Sequence, residues 1–212
     1  MGRRPDTDGR ARLTAAALAL FADHGVDATS IRAVNRAAGL GPASVHYHFG
    51  TKDALVDEAL GRYGDRVVET IVRAARTLTS RSDPVRPHEL IEMFSTAYDD
   101  LLLDRSPEVR SWIRLVDRYL AGDPARVADP RATAEAASAV RRGFPHAREN
   151  EIGQALTLAI RVYVGALAER VHRLDSHDES SRNDAREELR FMVTFLAGGL
   201  AAALDRSVVS ID

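Results

Sequence analysis

The stretch from Thr29 to Lys52 reads TSIRAVNRAAGLGPASVHYHFGTK. Within Ser30 to Ala38, apolar Ile31, Val34 and Ala38 recur at steps of three and four, the stripe of a short helix with one buried face. Thr29 or Ser30 can cap it. Gly39 supplies a residue that tolerates the left-handed conformation at a helix end, and Leu40 follows as the apolar plug of a tight turn. Pro42 then fits a first helical position, because its missing N–H is unpaired there in any case, with Gly41 as an acceptable cap. Two short helices joined by a turn of about three or four residues make a helix-turn-helix. The second helix, Pro42 to about His48, can turn Val45 and Phe49 inward at i, i+4, leaving Ser44, His46, Tyr47 and His48 to point elsewhere. Their hydroxyls, imidazoles and phenol are donors and acceptors of the kind that contact base edges and phosphate oxygens. Lys52, one turn on, places an ammonium where it can meet a phosphate.

This run resembles the DNA-binding signature of the TetR family of transcriptional regulators. The residues that carry the resemblance are Thr29, Arg32, Ala38-Gly39-Leu40, Ser44, Tyr47-His48-Phe49, and Lys52-Asp53 with Leu55, and it covers about residues 10 to 55 directly. Three departures stand out: Val34-Asn35 replaces the usual Ile-Ala pair, Gly41 replaces the usual Ser or Thr cap, and His46 stands where a Tyr is common. The resemblance implies an all-α chain with an N-terminal three-helix helix-turn-helix domain and a C-terminal helical regulatory and dimerisation domain. The expected divisions are an arm at residues 1–9, a DNA-binding domain at 10–51 and an effector-binding and dimerisation domain at 52–212. Expected DNA contacts are Thr29, Ser30, Arg32, Pro42, Ala43, Ser44, His46, Tyr47, His48 and Lys52.

Among 212 residues, 45% are hydrophobic, ample for a packed core. Charge is unevenly placed: residues 1–52 carry seven Lys or Arg against four Asp, and the remainder is net acidic. A near-neutral chain with a locally basic face can still bind DNA. Cysteine is absent, which excludes disulfides, thiolate catalysis and cysteine-based zinc sites. The N-terminus lacks a signal-like apolar run, and Phe195 to Leu204 is shorter than the roughly 20 residues a bilayer requires. A cytoplasmic location without membrane contact is the expectation.

Arg3, Arg4, Arg10 and Arg12 can either reach the DNA backbone or lie in solvent. Leu13, Ala17, Leu20 and Phe21 mark a helix from Arg10 to His24. Thr51 can cap a long helix from Lys52 to about Thr79, in which Gly61 and Gly64 mark a bend, a close contact or simple tolerance. Further helices are expected at 88–103, from Ser106-Pro107-Glu108 through Leu120, from Asp129-Pro130 to about Arg142, at 146–174 and at 184–205, with Ser176 to Asn183 as a loop. The last helix is apolar on more than one side, and Gly165, Gly198 and Gly199 permit close approach. A two-fold homodimer through the last two long helices follows.

His46 and His48 point apart at i, i+2 with no further ligand nearby, so no metal is expected, and neither is any cofactor. There is no phosphate-binding glycine loop, nucleophile elbow or His-Glu-x-x-His motif, so no enzymatic activity is expected. Asp99, Asp100, Glu149 and Glu151 read as charges on solvated helix faces. Phe94, Tyr98, Trp112, Tyr119 and Tyr163 lie in helices that, by the resemblance, would enclose a small-molecule effector; for any one of them core packing outweighs ligand contact. Gln154, Thr157 and Arg161 could orient that ligand or bond across the dimer. The function implied is a repressor bound as a homodimer to a palindromic double-stranded DNA operator and released by an effector. A DNA-binding architectural protein without an effector, or a helical enzyme with a borrowed head, are the alternatives.

Overall fold

The computed structural model describes residues 7–102, 106–174 and 178–205. Among them it has nine α-helices, one 3-10 turn and no strand. In order these are α1 (Thr7–His24), α2 (Ile31–Ala37), α3 (Ser44–Phe49), α4 (Lys52–Ser80), α5 (Pro87–Leu102), α6 (Pro107–Gly122), the 3-10 turn Pro124–Arg126, α7 (Pro130–Gly143), α8 (Glu149–Leu174) and α9 (Glu179–Leu204).

The helix ends follow local chemistry. Ser106 accepts from the amides of Glu108 and Val109 ahead of Pro107, and Asp129 accepts from Ala132 ahead of Pro130. Thr51 accepts from Ala54 and starts α4, which at 29 residues runs about 43 Å. Two helices start three or more residues before the sequence expectation, and α8 starts three residues after it, at Glu149. Helix α1 already includes Thr7, three residues before Arg10. Helix α9 begins at Glu179 rather than Asp184, because both carboxylate oxygens of Asp178 accept amides, from Ser180 at 3.3 Å and Ser181 at 3.1 Å. The loop expected at 176–183 is thus mostly helix; Ser176 and His177, like residues 1–6 with Arg3 and Arg4, and residue 103, lie outside the described residues.

Helices α1 to α3 form a small head. It is seated on the body where α1 meets α6: Arg118 donates to the carbonyls of Ala22 (3.1 Å) and Asp23 (3.3 Å), and Arg114 pairs with the Asp23 carboxylate at 2.9 Å. These carbonyls end α1, where a cation is favoured. Helix α4 belongs to both parts, starting beside α3 and burying Val67, Ile71, Ala75 and Leu78 in the body.

By length and mean hydropathy, Glu149–Val171 could cross a membrane, although it is not an unbroken apolar run. In the fold it packs between α6 and α9 with Ile152, Tyr163, Val164 and Leu167 fully buried, and its first turn is acidic.

Candidate nucleic-acid interface

Helix α2 is capped by Ser30, whose hydroxyl accepts from the Ala33 amide at 3.1 Å. It ends on Gly39 at φ +63°, a conformation glycine adopts without strain. The turn is held from outside by Arg12, whose guanidinium donates to the carbonyls of Ala38 (2.5 Å) and Gly39 (3.3 Å). A Cβ at Gly39 would lie 2.9 Å from that guanidinium, a second reason for glycine here.

Helix α3 starts later than its proline implied: the cap position is Ala43, which has no side-chain hydroxyl to offer. The missing bond comes from α2. Asn35, only 2% exposed, accepts from the Val45 amide at 3.0 Å and donates to the Pro42 carbonyl at 2.6 Å. The departure at Asn35 therefore compensates for a cap position, Ala43, that has no hydroxyl: an amide reaching across the turn does what a capping hydroxyl would do.

Val45 is fully buried beneath α3, and Phe49 is half-buried under the guanidinium of Arg10, 4.5 Å from its centroid. Arg10 also donates to Glu58 at 2.5 Å and to the His48 carbonyl at 2.9 Å, tying α1, α3 and α4 together. What remains outward is polar. His46 is exposed and its Nδ1 lies 2.9 Å from the Gly50 carbonyl. A carbonyl can only accept, so Nδ1 carries the proton and Nε2 of the neutral ring is left as an acceptor toward solvent. Tyr47 is 79% exposed, with its ring edge-on to His48 at 4.9 Å.

The sequence-expected contacts thus separate. Ser30, Arg32, Pro42, Ala43, His46 and Tyr47 are exposed; Ser44, His48 and Lys52 are half-buried. Thr29 is the correction: it is buried, and its hydroxyl donates to the Gly25 carbonyl at 2.7 Å, locking the α1–α2 turn. Arg10 and Arg12, two of the arginines considered for the DNA backbone, are exposed but already bonded, Arg10 to Glu58 of α4 and to the His48 carbonyl, Arg12 to the Ala38 and Gly39 carbonyls.

A second feature lies in the body, a cavity of about 420 Å³ framed by α4 to α8. Phe94, Tyr98, Trp112 and Thr157 line it, as expected. Tyr119, Gln154 and Arg161 do not; Gln154 and Arg161 are exposed on the same face of α8 as Leu158. Tyr163 faces a separate groove between α5, α8 and α9, where its hydroxyl donates to Asp99 at 2.9 Å, so Asp99 is more than a solvated charge. Burial and that carboxylate push the Tyr163 phenol up. Sequence reasoning missed the charged residues of the cavity lining, Asp57, Asp65, Arg126 and Asp129, of which Asp57 and Arg126 pair.

Residues 13–59 match the family model described as bacterial regulatory proteins, tetR family. Over 64 residues the chain is 39% identical to the HTH-type transcriptional repressor KstR2 of Rhodococcus jostii (strain RHA1), an alignment covering 28% of this chain and 31% of that repressor. The match thus spans about a third of that relative's length. Among solved structures, a TetR family transcription regulator from Marinobacter aquaeolei VT8 aligns with a TM-score of 0.56 at 18% identity, covering 91% of this chain and 95% of the other. SmeT, the repressor of the Stenotrophomonas maltophilia multidrug efflux pump SmeDEF, aligns at 0.55 and 18% identity over 95% of each chain. A regulatory protein in the tetR family from Rhodococcus RHA1 gives 0.55 at 20% identity, over 89% of this chain and 96% of the other. At such identities the likeness is one of fold.

Proposed function

Because this chain belongs to the TetR family of bacterial regulatory proteins, through the head matched at residues 13–59, we propose that it is a sequence-specific DNA-binding transcriptional repressor controlled by a small molecule. The observation that carries the reading is α3 itself, a short helix braced from behind by Asn35 and Arg10 with its outward face given to His46, Tyr47 and Ser44. Such a helix would lie in a major groove, with Arg32 and Lys52 meeting phosphates.

The DNA would be a palindrome read by a homodimer. Leu158 on α8 and Phe191 and Phe195 on α9 are 61%, 70% and 65% exposed, large apolar side chains whose burial against a second copy would be favourable. Two heads related by that axis would read half-sites about one helical turn, roughly 34 to 36 Å, apart or a multiple of it. The place of action would be the cytoplasm, and repression would follow from occupying a promoter.

The effector would sit in the cavity among α4 to α8. Two helices that line it also hold the head: α4 carries Lys52 at one end and Leu60, Gly64 and Val67 at the cavity, and α6 carries Trp112 into the cavity and Arg118 onto α1. A ligand acts only through its differential affinity for the arrangements with correct and incorrect head spacing, and a 100-fold difference corresponds to about 2.7 kcal/mol.

The test is a salt titration of binding to the DNA upstream of the protein's own gene, against random DNA of equal length. A two-fold symmetric footprint with a steep salt slope and marked preference over random DNA is expected. Equal binding to both would reduce the protein to an architectural role on this DNA.

A further inference from the structure

We propose that the cavity among α4 to α8 takes a largely apolar ring compound that bears no negative charge and presents one hydrogen-bond acceptor to the hydroxyl of Tyr98. The proposal rests on the effector reading of that cavity and adds the chemistry of what fills it.

The interior is apolar and aromatic. Trp112 and Tyr98 lie 6.1 Å apart at 31°, with Phe94, Leu60, Val67 and Leu156 completing the wall. A flat ring is the shape that covers such surface with favourable stacking geometry. The indole of Trp112 brings no free polar group, since its Nε1 donates to the Leu60 carbonyl at 2.7 Å.

Tyr98 is different. It is only 5% exposed, it lines the cavity, and its hydroxyl has no hydrogen-bond partner among the described residues. A phenol this buried normally finds a partner, and its oxygen is not one of the fully enclosed unpaired atoms, so it keeps accessible surface that a ligand atom can meet. Burial alone pushes its ionisation up, so at neutral pH it holds its proton and offers a donor. The complement is a carbonyl or ether oxygen on the ligand.

The solvent-exposed part of the lining sets the charge. Asp57, Asp65 and Arg126 are exposed and Asp129 is half-buried, three carboxylates with one cation. That cation is taken: its guanidinium lies 2.6 Å from the Asp57 carboxylate and 3.4 Å from the Asp53 carbonyl. Asp129 caps α7, and Asp65 has no ion-pair partner among the described residues. An entering anion would meet net negative charge and find no free donor cation, whereas a neutral or cationic compound meets no such barrier.

Three compounds on one frame separate these features: 2-acetylnaphthalene, with a carbonyl acceptor; 2-ethylnaphthalene, without one; and 2-naphthoate, an anion of similar shape. Equilibrium dialysis against the full chain should rank the ketone first and the naphthoate last. Tyr98→Phe keeps the ring and removes the donor, so it should weaken the ketone about three- to tenfold and leave the hydrocarbon unchanged. Naphthoate binding as tightly as the ketone would overturn the charge assignment, and equal effects of Tyr98→Phe on ketone and hydrocarbon would overturn the acceptor. The ranking on the unsubstituted chain stands even if Tyr98→Phe folds poorly. If none of the three compounds binds, the cavity and its ligand class both fail. If the ketone binds in the expected order but leaves DNA affinity unchanged, the effector reading alone fails and the ligand class stands.

Discussion

Asn35 and Val45 are joined across the helix-helix turn by a 3.0 Å bond from the Val45 amide to the Asn35 side-chain oxygen, the only side-chain support the start of α3 receives among the described residues. The Asn35 side-chain nitrogen donates at 2.6 Å to the Pro42 carbonyl, so both polar atoms of that side chain are used. Asn35→Ala strands a buried N–H and a carbonyl and should cost about 1–3 kcal/mol in urea unfolding, with a loss of DNA affinity because α3 is no longer fixed. Asn35→Asp keeps the acceptor but sets a carboxylate oxygen against the Pro42 carbonyl, so it should not rescue. Full stability in Asn35→Ala would show that solvent replaces these bonds.

Arg10 and Lys52 are both basic and both near the reader, yet they should behave oppositely. Arg10 is tied to Glu58, to the His48 carbonyl and to the Phe49 ring, so Arg10→Ala should lower the unfolding midpoint and leave the slope of log affinity against log salt nearly unchanged. Lys52→Ala should leave the midpoint alone, weaken binding to all sequences and reduce the salt slope by about one. Reversed results would place Arg10 at the phosphates.

For His46, the bond to the Gly50 carbonyl orients the ring and leaves Nε2 as an acceptor, which suits the amino group of adenine or cytosine in the major groove. His46→Ala should flatten the preference at one position of each half-site, by about 1–3 kcal/mol at most. Competition with single-base operator variants reads this directly, and equal losses on operator and random DNA would contradict it.

Much of this was legible because it is local. Gly39, Ser106-Pro107 and Asp129-Pro130 announce helix ends through their own backbone chemistry, and the inward pair Val45 and Phe49 follows from helical spacing. Asp178 with Glu179 carried the same kind of signal, but the polar run behind it has no apolar stripe and reads as loop. What was not legible depends on chain segments meeting. The role of Asn35 needs α3 folded back against α2, the burial of Thr29 needs α1 beside it, and the pairing of Arg126 with Asp57 joins residues far apart in sequence. Phe94, Tyr98 and Trp112 could be named as aromatic and buried, but only packing separates them from Tyr163, which faces the other groove.

Glu89 makes the corner between α4 and α5 depend on acid. Arg81 binds both of its oxygens, at 2.8 and 3.0 Å, and the Arg86 amide adds a bond at 2.9 Å, which together hold the carboxyl down at about 2, against an ordinary value near 4.5. A depressed carboxyl contributes stability that is fully present above its unfolded value and is lost as pH falls through the folded one. Glu89→Gln should therefore be less stable than the unsubstituted chain at pH 7, with the gap closing between about pH 4.5 and 2. Denaturant midpoints at several pH values test it; a gap independent of pH would assign the loss to packing.

Gly61 lies within α4 on the cavity wall, and a Cβ placed there meets nothing within 4 Å. Glycine inside a helix is less favourable than leucine by about 0.5–1 kcal/mol, so the sequence tolerates a cost at a place where the space beside it is empty. Gly61→Leu should then raise the melting temperature while its side chain occupies cavity volume. For a ring compound such as 2-acetylnaphthalene, the affinity should fall about tenfold, equivalent to about 1.4 kcal/mol. Operator binding should persist, since α3 and its supports at Asn35 and Arg10 are untouched, and the compound should no longer weaken it. A variant that is more stable, still binds DNA and no longer responds to the ligand would separate the reader from its control; unchanged ligand affinity would mean that the ligand sits elsewhere.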